Sequence, residues 1–315
     1  MTTEKTIVLT TFPVSTLQRV VAEVPEVELI QIPEQGELDP CIKGDVLLIP
    51  PWDSGNLADV LRLGIQWVHA IGTGVDRLPF ELVDNRLLTC ARGASAIPIA
   101  EWILAVMLAF EKQLPQSWLS EAPERWSAAK LGSLNGKTLG LVGLGGIGVA
   151  VARHALSFGM QVLAYRRSNE QSPIEGVETV SGLGELFGTA DHVVLVVPLT
   201  QHTRHFINRE VLVHIPAGQG IHFVNPSRGA LVDQEALREA LDDGRIARAT
   251  LDTVEPEPLP SGHWLYAHPA VKISPHISWT MPGAFDCLLD TFIENLLLYR
   301  SGEPLKGVVN CELGY

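Results

Sequence analysis

Apolar positions in the first third of the chain fall into short runs separated by turn-rich or amphipathic stretches. TIVLTT, VELIQIP, DVLLIPP, IQWVHAI and RLLTCA, all within residues 6–92, have the length and β-branched content of buried parallel strands. Between them, VSTLQRVVAEV and NLADVLRLG space their apolar residues as helices do. Alternating β and α segments predict an open, doubly wound α/β sheet.

From Ile97 the rhythm changes. IPIAEWILAVMLAFEKQL reads as one long helix, apolar over most of its circumference, with Pro98 in the first turn, where a missing N–H costs little. A helix of that kind is buried on more than one side. One side is expected to pack within its own domain and another against a second copy of the chain, which predicts a homodimer. The segment after it, PQSWLSEAPERWSAAK, carries Trp118 and Trp126 among polar residues, as an arm crossing a neighbour would.

A second α/β pattern begins at Lys137. An apolar strand (TLGLVG), a glycine-rich turn, a helix of small residues (VAVARHALSFG) and another strand (QVLAYRRS) make a βαβ unit. DHVVLVVPL, GIHFVNPS, RATLDTV and VKISPH come next, giving six expected parallel strands in Rossmann order, with ligands at their carboxyl ends.

The length of 315 residues suits about two domains, and 46% hydrophobic with 19% charged residues suits buried cores rather than disorder. The net charge of −13 argues against a nucleic-acid or membrane-surface partner, which would call for clustered Lys and Arg. Any anion site must then be local, made of helix ends and single arginines. Cys41, Cys90, Cys287 and Cys311 form no CxxC pair, which favours free thiols in a reducing compartment over disulfides or a metal site. No apolar run approaches the roughly 18 residues that a membrane span needs, and the N-terminus has no secretory pattern, so a cytoplasmic protein is expected.

The turn Gly143-Leu144-Gly145-Gly146-Ile147-Gly148 has the GxGxxG spacing in its required context of strand before and helix after. Its first glycine permits the tight turn, its second lets backbone approach a pyrophosphate, and its third lets helix pack on strand. Where an NAD site carries Asp or Glu about 20 residues on, this chain has Arg166, Arg167 and Ser168. Two guanidiniums and a hydroxyl suit a 2′-phosphate, which favours NADP(H) as the preferred cofactor, with NAD(H) a possible one, over the alternative of two solvated surface arginines.

Other candidates lie where strands end. Gly72-Thr73-Gly74-Val75-Asp76 follows the WVHAI strand and can offer backbone N–H groups to a small anion, or be an ordinary turn. Trp52 is either a rim residue or packing. Arg228 follows HFVNPS, Asp252 and Glu257 follow RATL, and His276 ends VKISPH. Each alone has a structural reading, as cap, loop charge or core histidine. Their joint position at one sheet rim beside a dinucleotide turn favours chemistry.

Taken together, Gly72–Asp76, Ala100-Glu101, GKTLGLVGLGGIG, ADHVVLVVPLTQHTRHFIN, VNPSRGALVDQEAL, LDTVEPEPLP, SPHISW and VVNCELGY closely resemble the D-isomer-specific 2-hydroxyacid dehydrogenase family. The resemblance implies a flavodoxin-like substrate domain, residues 1–98 with 285–315, and an NAD(P)-binding Rossmann domain, residues 99–284, with the active site in a cleft that closes. It implies that Arg228 binds the carboxylate and carbonyl of a small 2-oxo acid of the glyoxylate or hydroxypyruvate kind, that His276 is the general acid/base, and that Glu257 pairs with it. Thr73 and Gly74 would hold the substrate carboxylate by their backbone. Gly146 and Ile147 would bind the pyrophosphate, Asp252 would contact the nicotinamide carboxamide, and Pro198, Thr203, Asn225, Pro226 and Ser227 would line the nucleotide walls. Gly146 stands where many relatives have Arg, and Arg166 where Asp is common; Trp279 would wall the substrate pocket. A dinucleotide-sensing corepressor or scaffold on the same fold is the alternative reading.

Overall fold

The computed structural model describes residues 5–127, 129–167 and 171–315, and the chain divides into two compact units, Met1–Ser95 with Pro282–Tyr315, and Ala96–Met281.

Unit one is a five-stranded sheet of β1 (Thr6–Thr10), β2 (Val27–Gln31), β3 (Val46–Ile49), β4 (Trp67–Ala70) and β5 (Leu87–Cys90). Its order is β2-β1-β3-β4-β5, with every pairing parallel, which is the flavodoxin-like arrangement. All five expected strands form. The VSTLQRVVAEV segment splits into a 3₁₀ turn, Val14–Leu17, and a short helix α1, Gln18–Glu23, followed by α2 (Leu57–Leu61) and α3 (Phe80–Val83). The C-terminal helix α10, Ala284–Ser301, returns to this unit and packs Leu288, Leu289, Phe292, Ile293 and Leu296 with Val8, Leu17, Leu48 and Trp67. The alternate strand residues Leu9, Leu47, Ile49 and Val68 pack on the opposite face with Leu57, Val60, Leu61 and Val83, so the parallel sheet is covered on both sides.

Unit two opens with α4 (Ala96–Glu111) and holds seven parallel strands: β6 (Thr138–Val142), β7 (Gln161–Tyr165), β8 (Val177–Val180), β9 (His192–Leu195), β10 (Ile221–Asn225), β11 (Ile246–Leu251) and β12 (Val271–Ile273). The order is β12-β11-β10-β9-β6-β7-β8, a Rossmann sheet with its switch point between β6 and β9. The sequence reading expects six strands here. The seventh, β8, is a four-residue edge strand, VETV, only half buried, whose two valines are separated by Glu178 and Thr179, so it carries no continuous apolar run.

The helices of unit two are α5 (Gly146–Ser157), α6 (Leu183–Thr189), α7 (Arg209–Leu212), α8 (Gln234–Asp242) and α9 (Trp264–Ala267). Helices α4 and α5 cover one sheet face, where Ile103 and Met107 meet Leu139, Leu141, Val151 and Val194. Helices α6 to α9 cover the other, around Phe187, Phe223, Leu237 and Leu265. Along α4 the buried side chains Ala96, Ile99, Ala100, Ile103, Leu104, Met107 and Glu111 follow helical spacing, while Ile97 remains 54% exposed. Among the described residues, no helix is long and apolar enough to cross a membrane.

Candidate active site

Because the sheet of unit two is parallel throughout, all its strands end on one rim, and the loops leaving that rim carry nearly all the expected chemistry. At its centre, β6 runs into Gly143, whose φ of +109° only glycine adopts readily. A side chain at Gly143 would strike the Val196 carbonyl at 2.5 Å, and one at Gly148 would strike the Gly143 carbonyl at 2.6 Å. Strand β9, the turn and α5 are thus packed through bare backbone. Gly145, by contrast, faces open space and caps α5 without a side-chain hydrogen bond, and the first turn of that helix holds no acidic residue. The leading N–H groups of Gly146, Ile147 and Gly148 have no acceptor within the helix, and the positive end of its dipole adds to them. This cradle fits the diphosphate of a dinucleotide.

Arg166 and Arg167 follow β7, and the Arg166 guanidinium donates to the Gln171 carbonyl at 3.0 Å. Ser168 lies outside the described residues. Pro198 and Thr203 belong to one loop after β9, tied by the Thr203 hydroxyl donating to the Pro198 carbonyl at 2.8 Å. At the end of β10, the Asn225 amide donates to the Arg228 carbonyl at 2.8 Å and its oxygen accepts from the Ser227 N–H at 3.1 Å. The Ser227 hydroxyl reaches across to the Leu195 carbonyl at 2.8 Å. The Asn225-Pro226-Ser227 turn therefore fixes the backbone from which Arg228 projects, half-buried, with one guanidinium N–H on the Ser227 carbonyl at 2.7 Å.

The loops after β11 and β12 bring two further candidates into contact. His276 Nδ1 lies 3.0 Å from Glu257 Oε2, and the other carboxylate oxygen of Glu257 accepts the Val254 N–H at 3.1 Å. A carboxylate only accepts, so Nδ1 carries the proton and Nε2 is the ring nitrogen left to face a reactant. His276 has φ of +55°, a region a non-glycine residue rarely occupies. Its carbonyl accepts the Trp279 indole N–H at 3.1 Å. Trp279 is 36% exposed.

Thr73, Gly74 and Trp52 belong to unit one. There the Gly72–Asp76 turn leaves β4, and the Cys90 thiol donates to the Thr73 carbonyl at 3.7 Å. Trp52, 49% exposed, pairs in a lone bridge with Arg77.

Two features escape the sequence reading. A side chain at Gly229 would collide with the backbone of Val254 and Glu255, so the residue after Arg228 lies flat against the loop that leads to Glu257. The only signal in the sequence is the Arg-Gly pair itself, and the loop that the glycine must clear is some 25 residues away. The second is a buried row of polar groups: Glu111 Oε1 with His192 Nε2 at 2.9 Å, His192 Nδ1 with His222 Nδ1 at 3.2 Å, and His222 Nε2 with Thr250 Oγ1 at 2.9 Å. Among the described residues, no group of three or more His, Cys, Asp or Glu side chains is arranged to hold a metal ion.

Residues 104–278 match the family model described as D-isomer specific 2-hydroxyacid dehydrogenase, NAD binding domain. The chain is 33% identical over 300 residues to D-3-phosphoglycerate dehydrogenase of Methanocaldococcus jannaschii, covering 93% of this chain but 57% of that protein. It is 32% identical to glyoxylate reductase of Korarchaeum cryptofilum, covering 93% of this chain and 96% of that one. The solved structure of NADPH-dependent glyoxylate/hydroxypyruvate reductase from Sinorhizobium meliloti, in complex with NADP and sulfate, superposes with a TM-score of 0.80 at 25% identity, covering 99% of this chain and 100% of the other. A Rossmann unit with a bare glycine cradle, a flavodoxin-like unit and a match of this extent lead to one conclusion: the chain belongs to the D-isomer specific 2-hydroxyacid dehydrogenase family.

Proposed function

We propose that this protein is an NADPH-preferring reductase that converts a small 2-oxo acid, of the glyoxylate or hydroxypyruvate kind, to the D-2-hydroxy acid. The observation that carries the reading is the His276–Glu257 pair, 3.0 Å apart, on the sheet rim that also bears the glycine cradle and Arg228. The names of the Korarchaeum and Sinorhizobium relatives support the substrate class.

A reduced nicotinamide dinucleotide, when bound, supplies the hydride that reaches the carbonyl carbon. The residues of this chain do the rest. The Gly143–Gly148 turn and the start of α5 hold the diphosphate, Arg166 and Arg167 with Ser168 take the 2′-phosphate, and Pro198, Thr203 and Asn225–Ser227 line the nucleotide. Arg228 binds the substrate carboxylate with its planar fork and stabilises the charge that develops on the carbonyl oxygen. His276 gives the proton at Nε2 to that oxygen, while Glu257 fixes the ring tautomer through Nδ1 and stabilises the imidazolium. In unit one, the Thr73 and Gly74 backbone is the candidate for a second carboxylate contact, and Trp52 and Trp279 are candidates for limiting substrate size.

The cofactor preference rests on Arg166 and Arg167 standing where a ribose-binding carboxylate would repel a 2′-phosphate. The homodimer reading draws support from Ile97 on α4 and from the segment after it, where Trp118 is 73% and Trp126 81% exposed. Sedimentation at micromolar concentration tests it, and a monomer there would reject it. The function itself is tested with a panel of 2-oxo acids assayed with NADPH and NADH. The reading expects the highest kcat/KM with NADPH and a two- or three-carbon oxo acid, and its reversal in favour of NADH for Arg166→Asp. No turnover of any 2-oxo acid with either cofactor would reject it.

A further inference from the structure

Asp252 leaves β11 only 1% exposed, and every polar atom it has is engaged with the rim loops. Its carboxylate accepts the Ser274 hydroxyl and the Ile277 N–H through one oxygen and the Ser278 N–H through the other, the two N–H bonds each 2.9 Å long. Its own carbonyl accepts the His276 N–H at 2.9 Å, and its N–H donates to the Asn225 carbonyl at 3.0 Å. One side chain thus grips the loop on both sides of His276, two residues before it and one and two after it.

That grip has a conformational consequence. His276 sits at φ +55°, which costs free energy in a non-glycine residue and persists only where the surroundings over-determine it. The surroundings here are the Asp252 carbonyl on the His276 N–H, the Trp279 indole on the His276 carbonyl, and the Asp252 carboxylate on the residues beyond. If the carboxylate lets go, the restraints on residues 274, 277 and 278 are lost, the two main-chain contacts of His276 alone oppose the strain, and the backbone can relax toward negative φ. The imidazole then swings off the line that points Nδ1 at Glu257 and Nε2 at a reactant.

We infer that Asp252 is a positioning residue for His276, holding the proton donor in its strained, productive orientation by clamping residues 274–278. This inference rests on the reading of His276 as the general acid. The family resemblance assigns this aspartate to the nicotinamide carboxamide, whereas the clamp is made wholly by hydrogen bonds within unit two and gives it a task that does not depend on the cofactor.

The test is Asp252→Asn in the full-length protein, which keeps the side-chain shape but turns one acceptor into an amide donor facing the loop N–H groups. With the oxo acid and NADPH as substrates, kcat is expected to fall about 100-fold, the scale of a misplaced reacting group. KM for NADPH should stay within about threefold, since a uniform binding contact is not what has been lost. Ser274→Ala, which removes one donor and leaves the two N–H bonds, should lower kcat less and also spare KM; it is the deciding variant should Asp252→Asn fail to fold. A raised KM for NADPH at unchanged kcat in Asp252→Asn, or wild-type kcat in Ser274→Ala when it alone folds, would overturn the inference. His276→Ala, assayed alongside, separates the two ideas. If it turns over normally, the proton-donor reading fails; if it is inactive while Asp252→Asn keeps full kcat, only the positioning role fails.

Discussion

His276 and Glu257 meet through Nδ1 and Oε2 at 3.0 Å, although 18 residues and a strand of the sheet separate them in sequence. The Glu257 carboxylate is itself held by the Val254 N–H at 3.1 Å, so the pair is oriented from behind. Glu257→Gln keeps the shape but removes the charge that stabilises an imidazolium. It is expected to lower kcat by about 10²-fold or more, within the usual range for general acid–base catalysis, with the KM of NADPH little changed. Steady-state kinetics check this, and an unchanged kcat would remove Glu257 from the chemistry.

Arg228 projects from a backbone braced by Asn225 and Ser227, with Gly229 pressed against Val254 and Glu255. A lysine there keeps the charge and loses the bidentate fork. Arg228→Lys is expected to raise KM for the oxo acid and lower kcat/KM by about 10²-fold, equivalent to roughly 2.7 kcal/mol of lost transition-state stabilisation. An equal kcat/KM would mean that the guanidinium does not bind substrate.

Three buried histidines make the fold sensitive to acid. Burial pushes His69 down to about 3 and His192 down to about 4, the latter partly offset by Glu111, and burial together with the neighbouring His192, Arg248 and Lys137 lowers His222 well below its ordinary value. The unfolded chain binds these protons near pH 6.5 while the folded chain refuses them. Stability is therefore intact above about pH 6.5 and is lost as pH falls toward the folded values, by about 1.36 kcal/mol per pH unit for each histidine. Thermal unfolding followed from pH 7 to pH 4 should show a steadily falling Tm, and a flat Tm over that window would contradict the neutral, buried state of these rings.

Much of this molecule is legible in its sequence because parallel α/β sheets write themselves plainly. Strands such as VLLI and HVVL are buried along their whole length, and GxGxxG after a strand fixes both the turn and the rim where ligands bind. Once that rim is known, Arg228, Asp252 and His276 are found by inspecting the residues just past the carboxyl end of each strand. The sequence hides features that depend on pairing between distant segments. The short edge strand β8 has too little apolar surface to announce itself, and the clearance at Gly229 and the Glu111–His192–His222 row each need two or more segments brought together by the fold. Asp252 shows the same limit, since its position at a strand end is readable but its grip on residues 274–278 is not.

The imidazole of His276, as the group that protonates a substrate oxygen, is the centre of the proposed chemistry. The direct measurement is the single-turnover rate of oxo-acid reduction by His276→Ala with saturating NADPH, beside NADPH binding by fluorescence. Turnover slowed by about 10³-fold with unaltered NADPH affinity is the result expected when only the proton donor has gone. Turnover near that of the unaltered protein would contradict the account.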